Sequence, residues 1–223
     1  MIDYINKIVV VAPHPDDELL GAGGTISRLI SQGAEVNILI VGGHLPPVYN
    51  TVQYEETKQE AIKAFKYLNI TSHEFLDIPA TTFNLVPRHI FNERIKNFID
   101  KIKPDMVLLP FPDRHIDHRI VFDSAVVACR PLTNFSPKFV LCYETLSETH
   151  WNVSGIEANF NPDFFIDISL FIESKILALQ YYKSQINDFG PRGLEANKAL
   201  ARFRGSQNNC TYAEAFKVVR ILL

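Results

Sequence analysis

The sequence predicts an α/β fold, a doubly wound, mostly parallel sheet flanked by helices, and three observations predict it. Short, wholly apolar, β-branched runs recur along the chain, as strands buried on both faces require. Stretches with helical spacing of apolar residues separate them. The polar residues able to do chemistry stand just after the apolar runs, where open α/β sheets bind ligands.

The first run, residues 7–12, stops at Pro13. Residues 21–32 carry Ile26, Leu29 and Ile30 at helical spacing with Gly33 as a C-cap, and residues 35–41 form a second apolar run. Strand, helix and strand make a βαβ unit, and the right-handed crossover rule lays its two strands side by side in parallel. The alternation continues with a helix over 53–68, a strand over 74–76, a helix over 87–102 and a strand over 106–109. Beyond these the pattern predicts a helix over 116–129, strands over 139–142 and 164–168, and helices over 170–182 and 194–204.

The chain has 223 residues, of which 47% are hydrophobic and 21% charged, so one sizeable core and a single domain over 1–223 are expected. A formal net charge of −3 supplies no basic field for nucleic acid or an anionic membrane. Cys129, Cys142 and Cys210 form no CxxC pair and no even-numbered framework, which fits a reducing cytoplasm and argues against a disulfide scaffold or thiolate zinc site. Neither a signal peptide nor a membrane span is read from the sequence. A homo-oligomer is compatible with the pattern.

The chemistry is concentrated in two segments. Pro13-His14-Pro15-Asp16-Asp17-Glu18 follows the first strand, and Pro112-Asp113-Arg114-His115-Ile116-Asp117-His118 follows the strand that ends near Pro110. Like charges beside a histidine at a buried strand end are unfavourable unless a cation compensates them. A catalytic zinc takes about three His, Asp or Glu ligands and leaves a position for water. His14 with one aspartate, and His115 or His118, would supply them. Read singly, each feature has a plainer explanation: a loop histidine is commonly a surface residue, and Asp16-Asp17 suits a helix N-cap. The two segments sharing one sheet edge favour the metal. Gly21, Gly23 and Gly24 lack the dinucleotide-binding spacing and are read as a tight turn and close helix packing. His73 and His89 are read as structural or exposed, and His44, after the second strand, as a candidate substrate contact or an exposed loop residue.

Ala12-Pro13-His14-Pro15-Asp16-Asp17-Glu18, the glycines after it and Asp113-x-His115-x-Asp117-His118 together resemble the PIG-L/LmbE-like family of N-acetylglucosaminyl deacetylases. Arg204-Gly205 with Tyr212-Ala213-Glu214-Ala215-Phe216 is similar to that family's C-terminal signature, so the likeness spans nearly the whole chain. The resemblance implies a Rossmann-like sheet and one divalent metal, zinc by donor type with ferrous iron also accommodated, held by His14, Asp17 and His118. It further implies Asp16 as general base and His115 as the group that stabilises the oxyanion or protonates the leaving amine. Asp117 would orient a histidine and Glu18 would support the site. The substrate implied is a small N-acetylated amino sugar.

The chain departs from the family where Gln53-Tyr54-Glu55-Glu56 lacks an arginine that many members carry there. Arg192 and Arg204 are read either as contacts to a substrate phosphate or carboxylate or as surface ion pairs. Tyr143, after a strand, is a candidate for lining the sugar pocket, and the aromatic-rich stretch 151–165 either covers that pocket or packs. Two other activities fit the same pattern: an N-acyl hydrolase of a non-sugar amide, and a nucleotide- or sugar-binding module without turnover.

Overall fold

The computed structural model describes residues 5–132 and 135–222. In chain order its elements are β1 (Lys7–Ala12), α1 (Asp17–Ser31), β2 (Glu35–Gly43), α2 (Thr51–Leu68), β3 (Ser72–Pro79), α3 (Arg88–Ile102) and β4 (Met106–Pro110). They continue with α4 (Ile116–Ala128), β5 (Phe139–Tyr143), β6 (Phe164–Asp167), α5 (Ile172–Leu179), α6 (Leu194–Ser206) and β7 (Ala213–Ile221). All seven strands join one sheet in the order β3-β2-β1-β4-β5-β7-β6. The first five are parallel, and β7 runs antiparallel to both β5 and β6.

Strand alternation divides the core in two. Ile8, Val10, Ile38 and Ile40 face the layer that α1, α2, α5 and α6 pack against, and Val9, Val11, Leu39 and Val41 face α3 and α4. This is the doubly wound arrangement the alternation predicts. From β1 the chain moves outward to β2, and from β4 it moves the opposite way to β5, so a crevice opens between the C-terminal ends of β1 and β4. Among the described residues, no helix is long and apolar enough to cross a membrane.

Three elements differ from the sequence expectation. Helix α1 starts at Asp17 and contains the glycines, which therefore make no turn. They serve close packing: a Cβ at Gly21 would lie 2.1 Å from Cδ2 of Tyr143, and one at Gly24 would lie 2.5 Å from Cδ1 of Ile168. Strand β7 was not expected, because Glu214, Lys217 and Arg220 interrupt its apolar run. Glu214 is nonetheless buried: it pairs with Lys175 at 2.7 Å and accepts the backbone N–H groups of Gly24 and Thr25 at 2.9 and 2.7 Å. Helix α5 is also shorter than expected, leaving residues 180–193 as a loop that returns to the crevice.

Candidate active site

The crevice gathers the two motif segments. Asp17 sits at the start of α1, and its Oδ2 accepts the backbone N–H of His14 at 3.0 Å. The same oxygen lies 3.3 Å from His14 Nδ1 and 3.3 Å from His118 Nε2. His118, in the first turn of α4, is buried, and its Nδ1 is 3.0 Å from Asp113 Oδ2. Asp113 is fixed in turn by the Thr149 hydroxyl at 2.8 Å and the His115 N–H at 3.0 Å. The other ring nitrogen of His14, Nε2, lies 3.0 Å from Asp117 Oδ2, which also accepts the Thr81 N–H at 2.6 Å. Asp117 thus orients His14, whereas Asp113, to which the sequence reading gave no role, orients His118.

Asp16 occupies the N-cap position of α1 without capping it. Its backbone takes φ 111° and ψ −32°, and its Oδ2 meets the Arg192 guanidinium at 3.2 Å. Arg192 also donates to Gln185 Oε1 at 3.1 Å and stands 3.9 Å from Glu148. Glu18 lies beneath, fully buried, accepting the Asp16 N–H at 3.1 Å through Oε2 and the Tyr182 hydroxyl through Oε1. His115 accepts the Asp117 N–H on Nδ1 at 3.2 Å, so the neutral ring carries its proton on Nε2. Its ring centroid is 4.8 Å from that of His14 and 5.1 Å from that of His118.

Burial sets the electrostatics. It pushes the Asp16 carboxyl up to about 7 against the opposing pull of Arg192, and the Glu18 carboxyl up to about 8. For Asp17 burial is outweighed by His118 and His14, which hold the carboxyl well below its usual range. For His118 burial is outweighed by Asp17 and Asp113, which hold the ring protonated. Burial, with the neighbouring His14 and His118, lowers His115 to about 4 and keeps it neutral. The carboxylates therefore favour positive charge at the centre of the cluster and, against burial, they raise both the His14 and the His118 rings.

The donors fit a metal ion. Tetrahedral zinc with bonds of about 2.0–2.1 Å separates neighbouring ligand atoms by about 3.3 Å, the spacing of Asp17 Oδ2 from His14 Nδ1 and His118 Nε2. Ring nitrogens of His14, His115 and His118 also lie within 4.8 Å of one another and could hold an ion. Among the described residues, Asp117 Oδ1 is buried and has no hydrogen-bond partner, a further acceptor beside the cluster.

A narrow cleft leads to this cluster, lined by His14, Pro15, Asp16, His44, Tyr49, Tyr54, Thr57, His115, Gln185 and Arg192. A larger surface hollow, lined by α2 and α5 residues such as Lys63, Tyr67 and Leu177, holds none of the site residues. His44 and Arg192 both line this cleft. Tyr143 and Arg204 do not, and both expectations are corrected. Tyr143 is fully buried against α1 with its hydroxyl donating to the Val11 carbonyl at 3.0 Å. Arg204 is committed to Glu144 through two bonds of 2.8 and 2.7 Å, in a buried pair rather than at a substrate or on the surface. Tyr182, Gln185 and Glu148 went unnoticed in the sequence, since no local motif marks them.

Among known proteins, the chain is 26% identical to the diacetylchitobiose deacetylase of Thermococcus kodakarensis over 227 residues, covering 96% of this chain and 84% of that protein. The crystal structure of the conserved protein TT1542 from Thermus thermophilus superimposes with a TM-score of 0.76 at 29% identity, over 97% of this chain and 96% of that one. GalB, the 4-carboxy-2-hydroxymuconate hydratase from Pseudomonas putida, superimposes with a TM-score of 0.79 at 20% identity over 98% of both chains. The fold alone therefore does not fix the reaction. The family model described as "PIG-L: GlcNAc-PI de-N-acetylase" matches residues 9–129, a span that holds both motif segments, and the chain belongs to that family.

Proposed function

We propose that this protein is a metal-dependent hydrolase that removes the acetyl group of an N-acetylated amino sugar. The observation that carries the reading is the 3.3 Å spacing of Asp17 Oδ2 from both His14 Nδ1 and His118 Nε2, with Asp16 and His115 beside it on the cleft. His14, Asp17 and His118 would hold the ion, most simply zinc, with Asp117 and Asp113 orienting the two rings. When bound, the cation supplies Lewis-acid polarisation of the amide carbonyl and makes water acidic near neutral pH.

The protein residues supply the proton transfers. Arg192 ties up Oδ2 of Asp16, which leaves Oδ1 to take the proton of the attacking water. A carboxyl raised to about 7 is matched to that task at neutral pH. His115, neutral and with Nδ1 engaged, presents Nε2–H as a donor to the developing oxyanion. Asp16 then returns its proton to the departing amine.

The cleft favours a sugar over an acylated amino acid. A substrate carboxylate needs a free cation, and Arg192, the cation lining the cleft, already faces Asp16 and Glu148. The remaining lining offers the part-exposed Tyr49 ring and His44 imidazole, which suit a pyranose face and its hydroxyls. Three free cysteines support a reducing, cytoplasmic setting. The test is amine release from N-acetylglucosamine, N,N′-diacetylchitobiose and N-acetyl amino acids, before and after chelation. Chelator-sensitive release from the sugars is expected. Preference for the amino acids would move the substrate class, and no release by metal-loaded protein would refute the hydrolase.

A further inference from the structure

Asp16 stands in backbone conformation that L-residues rarely adopt, with φ 111° at a helix N-cap where extended values are usual. That conformation keeps the carboxylate off the α1 N–H groups and aims it into the cleft. Such strain persists only where surrounding contacts over-determine it, and here the contacts are identifiable. Glu18 Oε2 accepts the Asp16 N–H at 3.1 Å. Its other carboxylate oxygen is held by the Tyr182 hydroxyl, from the loop that follows α5. Glu18 and Tyr182 are both fully buried and neither lines the cleft, so neither can touch substrate there.

The same segment grips the Asp16 side chain. Arg192 meets its Oδ2 at 3.2 Å and is braced by Gln185 Oε1 at 3.1 Å. The Gln185 amide is oriented by Thr57 Oγ1 at 3.3 Å and Ser184 Oγ at 3.1 Å, so its oxygen faces Arg192. Loop residues 182–192 thus hold Asp16 from two sides, backbone and carboxylate.

We propose that Glu18 and Tyr182 are positioning residues, a buried clamp that keeps Asp16 in its strained backbone conformation and so keeps the proton acceptor aimed at the cleft. The inference rests on the proposed hydrolytic role of Asp16, but its structural half stands without it. It predicts that Tyr182→Phe, which keeps the ring and deletes the hydroxyl, acts through Asp16 and not through the metal ligands.

The experiment has two arms. Residue-resolved hydrogen exchange should show the Asp16 amide exchanging at least about tenfold faster in Tyr182→Phe and Glu18→Ala, with the β1 amides of Val9 to Val11 unchanged. In turnover of an N-acetyl sugar, both variants should lose about 10- to 100-fold in kcat with KM and metal content retained, as a base displaced by about 1 Å would. Glu18→Gln keeps an oxygen for the Asp16 N–H and should recover most of both losses. Wild-type exchange and kcat in Glu18→Ala, a loss explained by missing metal, or no recovery in Glu18→Gln would each overturn the clamp. Should the wild-type protein hydrolyse no N-acetyl sugar, the hydrolase reading fails while the exchange arm still decides the clamp.

Discussion

Replacing Arg204 with alanine separates a structural arginine from a substrate-binding one. The guanidinium makes two charge-assisted bonds to Glu144, at 2.8 and 2.7 Å, and its carbon lies 5.7 and 5.3 Å from the ring centroids of Phe160 and Phe203. Only 8% of its side chain and 4% of that of Glu144 is exposed. Removing Arg204 leaves the buried Glu144 charge with only its 2.9 Å contact to His150, at a cost of up to about 3–5 kcal/mol. That is a large part of the roughly 5–15 kcal/mol that holds a domain together, yet leaves a folded protein to measure. The loss should also depend on pH. Burial alone would raise the Glu144 carboxyl, but bonds from His150 and Arg204 overcome it and hold it below its usual value. In the wild type its contribution is therefore present above the unfolded value, about 4.3, and is lost as pH falls through the lower folded value. Without Arg204 only His150 still opposes burial, so the folded carboxyl titrates higher than in the wild type, and the stability deficit shrinks as pH falls through that value. Urea unfolding at neutral and at mildly acidic pH measures both effects. A deficit under about 1 kcal/mol at neutral pH, the range of an exposed pair, would refute the reasoning. So would a raised KM at unchanged stability, since the packing predicts an unaltered KM.

Two further outcomes follow from the geometry. Asp113→Asn removes the charge that orients His118 at 3.0 Å and should weaken metal binding about 10- to 100-fold, read by competition with a chromogenic chelator; unaltered affinity would leave Asp113 a mere loop anchor. Gly21→Ala drives a Cβ to 2.1 Å from Tyr143, whose ring is pinned by its bond to Val11, and should cost about 1–3 kcal/mol or more in urea unfolding. A fully stable variant would show that α1 and β5 can separate.

Strands β1, β2, β4 and β5 are legible in the sequence because burial on both faces leaves them almost purely apolar. Strand β7 is not, because its charged Glu214 is satisfied by Lys175 and by backbone N–H groups of α1, partners that no local pattern discloses. The start of α1 is hidden for a related reason: Asp17 and Glu18 are buried against spatial partners, and the helix carries glycines that propensity would keep out. At the site, the residues read from short motifs, His14, Asp16, Asp17, His115 and His118, do converge at one crevice. Those that depend on the chain returning from afar, Tyr182, Gln185 and Arg192, converge there too, yet only Arg192 was marked in advance. Tyr143 and Arg204 misled because sequence places a residue near a strand or helix end without saying which way its side chain points.

The most direct test of the central claim is metal content measured beside sugar deacetylation in the wild type, Asp16→Ala and His118→Ala. The wild type should carry about one divalent ion per chain and release amine from an N-acetyl amino sugar. Asp16→Ala should keep the ion and lose the reaction, and His118→Ala should lose both. Normal turnover in Asp16→Ala, or an ion retained at full affinity in His118→Ala, would contradict the account.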